Sequence, residues 1–140
     1  MAADLMLIGK FKYESAENVD EYLCGLGVGL VLRKVQSVAR PVIEISFSQE
    51  TNEWTVVSES VFKTKQIVFA PMQKFKDRTF DSRKCKTVAE IADNGKRMTW
   101  EQICAEGPDV KTIITVTETG LNLVMQSGQY SCQQTYSRQV

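Results

Sequence analysis

From residue 41 onward the chain reads as short runs that alternate apolar and polar positions. In 41–48, Val42 is followed by Ile43, and Ile45 and Phe47 then share one side while Glu44 and Ser46 take the other, the period-2 signature of a half-buried strand. Residues 54–60, Trp-Thr-Val-Val-Ser-Glu-Ser, are β-rich, and further runs lie near 66–70, 84–91, 97–104, 110–117, 121–126 and 130–136. Turn signals separate many of them: Glu50-Thr51-Asn52, Asp93-Asn94-Gly95, Glu106-Gly107-Pro108, Thr119-Gly120 and Ser127-Gly128. Connectors this short force antiparallel neighbours, because a parallel return needs roughly a dozen residues. Regular strands without intervening helices predict an up-and-down barrel or a sandwich.

Residues 16–39 break the pattern. Val19, Tyr22, Leu23 and Leu26 fall at i, i+3, i+4 and i+7, one apolar stripe. Ser15 is the expected N-cap, with Glu17 and Asp20 near the positive end. Gly27 and Gly29 interrupt the helix, and Leu30, Val31, Lys34, Val35 and Val38 suggest a second one ending before Arg40-Pro41. A helix pair therefore lies between a first strand (about 9–14) and a run of about nine more. A closed barrel of this size fills its interior with side chains or encloses a cavity. The helices are expected to close one end, which suggests a container for an apolar molecule.

Composition narrows this. At 140 residues, 43% hydrophobic and 24% charged, the chain is expected to form a single domain over 1–140. Seventeen Lys+Arg balance seventeen Asp+Glu, so no nucleic acid is expected as partner. With no His, the most versatile acid–base catalyst and a common metal ligand are missing. Asp81 with Arg83, or Glu101 with Asp109, would be acid–base pairs, but no spacing supports them, and no enzyme, cofactor or metal is expected. Cys24, Cys85, Cys104 and Cys132 are scattered without a CxxC pair, the pattern of free, buried core thiols. The first ten residues lack a basic, then apolar, leader pattern. Gly25–Leu32 is too short to span a bilayer. A cytoplasmic monomer is expected.

An ordered set of residues then becomes recognisable: Asn18-Val19-Asp20-Glu21-Tyr22-Leu23, Leu26-Gly27-Val28-Gly29, Arg33-Lys34-Val35, Pro41, Ser58 through Thr64, Ile67-Val68-Phe69, Phe75, Asp81 through Lys86, and Cys132 through Tyr136. In this order and spacing the chain resembles the intracellular lipid-binding proteins, the fatty-acid-binding and cellular retinoid-binding proteins. The resemblance implies a ten-stranded antiparallel barrel, or β-clam, capped by a helix-turn-helix, carrying a fatty acid, a retinoid or a related small hydrophobic ligand. It places the ligand's way in between the lid and the turns bearing Phe62 and Asp81. Val19 replaces an aromatic usual on the first helix, while Tyr22 is kept. Leu23, Val28, Pro41, Ser58, Ser60, Asp81 and Arg83 fall on positions that line the cavity or its mouth. Met98, Trp100 and Gln102 share one strand face, expected inward. Leu121, Leu123 and Met125 should also face in, as should Cys132, Gln134 and Tyr136.

One departure concerns the ligand. Family members that hold a carboxylate use two Arg and a Tyr deep in the barrel, the last-strand pattern being Arg-x-Tyr. Here it reads Gln134-Thr135-Tyr136, and counting seven back from Leu121 puts Ile114 at the other Arg position. A carboxylate buried without a cation is costly, and neutral hydrogen bonds contribute about 0.5–1.5 kcal/mol against about 1.5–3 for charged ones. Gln both donates and accepts, which suits a neutral headgroup. Gln134 also resembles the retinol-binding branch, although that branch has a second Gln where Ile114 stands.

Three readings stay open: a carrier of a neutral or weakly polar ligand; a fatty-acid carrier that holds the carboxylate through Tyr136 and Gln134, water, Arg83 or Arg97; and a divergent interaction protein. Charge is also uneven. Lys63 to Lys86 holds eight Lys/Arg against two Asp, and Pro41 to Phe62 holds four Glu and no cation. The basic stretch is either a face for transient contact with anionic membranes, joined by Arg33 and Lys34, or a solvated strand face. Trp54 and Trp100 are core candidates, Trp100 also a cavity reporter. Gln134 and Tyr136 have the plain alternative of polar residues satisfied by water.

Overall fold

Residues of one parity turn to the same side of every strand, and that side curls round on itself. The computed structural model describes residues 6–92 and 94–139. Ten strands and two helices run in the order β1 (Gly9–Glu17), α1 (Val19–Gly25), α2 (Leu30–Val38), β2 (Val42–Ser48), β3 (Glu53–Glu59), β4 (Thr64–Phe69), β5 (Phe75–Arg78), β6 (Lys84–Ala92), β7 (Arg97–Cys104), β8 (Val110–Val116), β9 (Gly120–Ser127) and β10 (Tyr130–Arg138). All pairings are antiparallel, in the order β4-β3-β2-β1-β10-β9-β8-β7-β6-β5. The result is a nearly closed up-and-down barrel in which β4 and β5, consecutive in sequence, form the two free edges.

Register fixes the inward set. Directly opposite residues share a face, so Ile43↔Ser58↔Lys65, Ile45↔Val56↔Ile67 and Phe47↔Trp54↔Phe69 all point in. On the other side Trp100 pairs with Ala89 and Thr112, and Met98 with Ile91 and Ile114. Two clusters result. One runs from the closed end into the middle, with Leu7, Phe11, Ala89 and Met98, each 0% exposed, and Ile45, Trp54, Val56, Phe69, Trp100, Ile114 and Tyr136. The other is the lid cluster, where Tyr22 and Leu23 of α1 meet Met125 and Cys132.

Several boundaries differ from the sequence reading. The first strand continues to Glu17, and Ser15 is no cap: beyond a bulge between Tyr13 and Ser15 it pairs with Thr135 in the β1–β10 ladder. Asn18 precedes α1 instead, in the left-handed region at φ 61°, with no side-chain cap bond, a conformation Asn tolerates well. Strand β5 lies outside the runs picked out by alternation, because in its four residues only Phe75 is an apolar inward position. Helix α2 forms as expected but buries no residue. Cys24 is exposed and Cys104 half-buried, against the expectation of buried thiols, while Cys85 and Cys132 are buried. Asp93 of the expected 93–95 turn lies outside the described residues, as do residues 1–5 of the leader reading.

Candidate functional site

At the depth of the barrel, Tyr136 is 2% exposed and its hydroxyl donates to Gln134 Oε1 at 2.8 Å. Burial pushes the Tyr136 hydroxyl well above its ordinary range, so it is a neutral donor at physiological pH. Tyr13 closes edge-on against its ring at 5.8 Å. Gln134 is opposite Leu123, and Leu123 opposite Ile114, which is 3% exposed. Ile114 and Gln134 thus face inward on either side of Leu123, and neither carries charge. Arg138 also turns inward, at the closed end. Its Nη1 donates to Ile8 O at 3.0 Å, its Nη2 donates to Met6 O and Thr117 O, and its guanidinium lies over Phe11. That cation ties the floor to the chain's start.

The middle is aromatic. Trp100 stands edge-on to Phe69 at 5.5 Å and to Phe75 at 6.3 Å, and Phe69 stacks on Phe75 across the β4–β5 gap at 5.8 Å. Trp100 Nε1 is buried with no partner among the described residues. Met98, Trp100 and Gln102 face in together, as do Leu121, Leu123 and Met125, followed on β10 by Cys132, Gln134 and Tyr136.

The mouth is polar and charged. Asp81, with a 3% exposed side chain, receives Arg83 Nε at 2.7 Å and Thr79 Oγ1 at 2.7 Å. Burial pushes its carboxyl up, but the bonds from Arg83 and Thr79 and the Arg83 charge win and hold it below its ordinary value. Arg83 Nη1 also donates to Glu106 O and Pro108 O, at 2.9 and 2.7 Å, which ties the β5–β6 and β7–β8 turns together. Gly107 makes room for this: a Cβ there would lie 2.7 Å from Nη1, and its φ of +76° favours glycine anyway. Arg83 Nη2 and the Tyr22 hydroxyl are buried without partners among the described residues. Ser58, Ser60, Val28 and Pro41 are half-buried near this end, and Phe62 is 52% exposed on the β3–β4 turn.

Two sequence candidates are not brought to the site. Arg97 is exposed on the face opposite Met98, so it cannot serve an internal headgroup. Glu101 also faces out, while Asp109 accepts the Cys104 N–H at 2.9 Å, so these two make no acid–base pair. Conversely, Lys65 and Asp77 were missed. Lys65 Nζ bridges the β4–β5 gap to Asp77 Oδ1 at 3.1 Å and to Arg78 O at 2.9 Å. Asp77 further accepts from Thr87 and Gln102. The signal was the parity of Lys65 with Ile67 and Phe69. Around this bridge Lys63, Thr64, Lys65, Lys76, Asp77 and Arg78 line a cleft of about 430 Å³. Among the described residues, no group of three or more His, Cys, Asp or Glu is placed to hold a metal ion.

Comparison with known proteins agrees with this geometry. The chain is 34% identical over 138 residues to "Sodium/calcium exchanger regulatory protein 1" of Doryteuthis pealeii, covering 99% of this chain and 98% of that one. It is 42% identical over 115 residues to "Fatty acid-binding protein 5" of Pygoscelis papua, covering 82% and 81%. Among solved structures, the "REP1-NXSQ fatty acid transporter" superposes with a TM-score of 0.85 at 32% identity, over 96% of each chain. Scanned against protein-family profiles, the chain matches none.

Proposed function

We propose that this chain, which belongs to the family of the fatty acid-binding and cellular retinoid-binding proteins, is a non-enzymatic cytoplasmic carrier that holds one small hydrophobic ligand inside its barrel. Because the deep end offers a neutral Tyr136–Gln134 pair, with Ile114 two strands away, the favoured ligand has a neutral or weakly polar headgroup. That pair carries the reading. An acid there would lose water without gaining a cation, whereas a hydroxyl can both donate to and accept from Gln134. The apolar body of the ligand would lie along Met98, Trp100, Leu121, Leu123 and Met125. Leu23 and Val28 would close over it.

A second reading has support at the mouth. Arg83 Nη2 is buried without a partner among the described residues, so an acid lying head-outward would meet a cation there. Extraction and mass spectrometry of lipid carried by the native protein, with oleate and retinol titrated against Trp100 fluorescence, tests both. Binding of neither ligand would defeat the carrier reading and favour an interaction protein.

Delivery to anionic membranes is part of the proposal. Lys76 stands opposite Lys86, and Arg78 opposite Lys84, like-charge pairs that cost stability and concentrate positive charge on one outer face. Helix α2 adds Leu30, Val31, Leu32 and Val38, all more than half exposed. Lys34 makes no ion pair among the described residues and can join them. Arg33 is committed instead to the lid, donating to Asp20 Oδ1 at 2.9 Å and Val28 O at 2.8 Å. Transfer to anionic vesicles should slow as salt rises; a flat response removes this part. Among the described residues no helix is long and apolar enough to cross a membrane.

A further inference from the structure

Cys85 and Cys104 are scattered in sequence but stand directly opposite each other on β6 and β7. The bond from Ala105 N to Lys84 O shows which kind of opposition this is. A bond joining the residues just outside two partners marks them as a non-hydrogen-bonded pair, whose Cα atoms come to about 4.5 Å with side chains close. That separation lies inside the range a disulfide spans, about 4.4–6.8 Å. Both thiols are free, and both side chains lie on the inward face, since Cys85 and Cys104 share the parity of Thr87 and Gln102. Their sulfurs now point along their own strands, Cys85 Sγ 3.6 Å from Thr87 Oγ1 and Cys104 Sγ 3.9 Å from Gln102 O. Side-chain rotation would turn them towards each other.

We propose that Cys85 and Cys104 form a reversible disulfide at the mouth of the barrel by exchange with a small-molecule disulfide. Cys104 is the half-buried member and reacts first. Its thiolate attacks one sulfur of the small disulfide, forms a mixed disulfide and expels one thiolate, which takes up the proton Cys104 lost. The Cys85 thiolate then attacks the Cys104 sulfur, forms the Sγ–Sγ bond and expels the second small thiolate, which takes up the Cys85 proton. Two protein thiols are oxidised and one disulfide is reduced to two thiols.

Burial pushes both thiols above their ordinary range, with Arg83 partly offsetting this at Cys104. Exchange is therefore slow at neutral pH and speeds up as pH rises, because the thiolate is the nucleophile. The new bond joins β6 to β7 where Arg83 already ties the flanking turns, so it reinforces the mouth in its present shape.

The test uses the full chain carrying Cys24→Ser, which removes the exposed thiol. Folded protein is incubated with oxidised glutathione at mildly alkaline pH, alkylated, and mapped without reduction. The expected product is monomeric, lighter by two hydrogens, linked between Cys85 and Cys104, and reversed by dithiothreitol. Adding Cys85→Ser should trap one glutathione on Cys104, while adding Cys132→Ser should leave the link intact. A stable glutathione adduct on Cys104 with Cys85 present, or two unreacted thiols after prolonged incubation, would overturn the proposal.

Discussion

The floor and the mouth of this barrel are built on opposite principles. At the floor Leu7, Phe11, Ala89 and Met98 are 0% exposed and pack against one another. At the mouth α2 buries nothing, Val31 is 76% exposed, Lys65 holds Asp77 across the β4–β5 gap, and Arg83 holds Asp81 within the β5–β6 turn. The difference teaches where each property resides. Stability follows close-packed apolar volume, so it belongs to the floor. Apart from the cluster of Tyr22, Leu23, Met125 and Cys132 under α1, the mouth keeps few apolar contacts, least of all at α2, and elements of that kind open at low free-energy cost, as a carrier that must admit its ligand requires.

The sharpest way to break this contrast is to truncate one residue in each region. Phe11→Ala should cost about 3–5 kcal/mol of stability, whereas Val31→Ala should stay within about 0.5 kcal/mol. Urea unfolding of both proteins measures it, and equal losses would abolish the division.

The Asp81–Arg83 pair comes next. Asp81 has its carboxyl held below the ordinary value in the folded state. The stability it contributes is therefore complete above about pH 4, the unfolded value, and is lost as pH falls through the lowered folded value. Asp81→Asn should weaken the protein by about 1–3 kcal/mol at neutral pH. It should also remove part of the decline in urea midpoint that the native protein shows under acid.

A smaller loss than at Phe11 or Asp81 is expected at the deep pair. Tyr136→Phe deletes the 2.8 Å bond to Gln134 and should cost about 0.5–1.5 kcal/mol, with the floor's other packing intact. Differential scanning calorimetry would resolve it. A loss as large as that of Phe11→Ala would mean that the pair is structural rather than a ligand contact.

The regular strands were legible because period-2 alternation is strict where one face is buried. That logic placed Met98, Trp100 and Gln102 inward, and it brought Gln134 and Tyr136 to the same face. It failed where local chemistry is decided by tertiary partners. Ser15 has the composition of a cap, yet a bulge keeps it in a ladder with Thr135. Phe75 to Arg78 is too short and too charged to announce a strand, because its inward Asp77 is made acceptable only by Lys65, Thr87 and Gln102, far away in sequence. The basic stretch read as one surface run separates in three dimensions. Lys65 and Arg83 are spent on Asp77 and Asp81, while Lys76, Arg78, Lys84 and Lys86 stay outside.

On the proposal made above, the barrel's depth, with Gln134 and Ile114 in place of cations, selects a neutral headgroup. Oleic acid and oleyl alcohol differ only in that headgroup, so their dissociation constants on the native protein and on Gln134→Arg test it most directly. The native protein should bind the alcohol at least as tightly as the acid, and Gln134→Arg should shift the preference towards the acid by about tenfold or more. Native protein that binds the acid tenfold tighter than the alcohol, with a preference indifferent to Gln134→Arg, would contradict it.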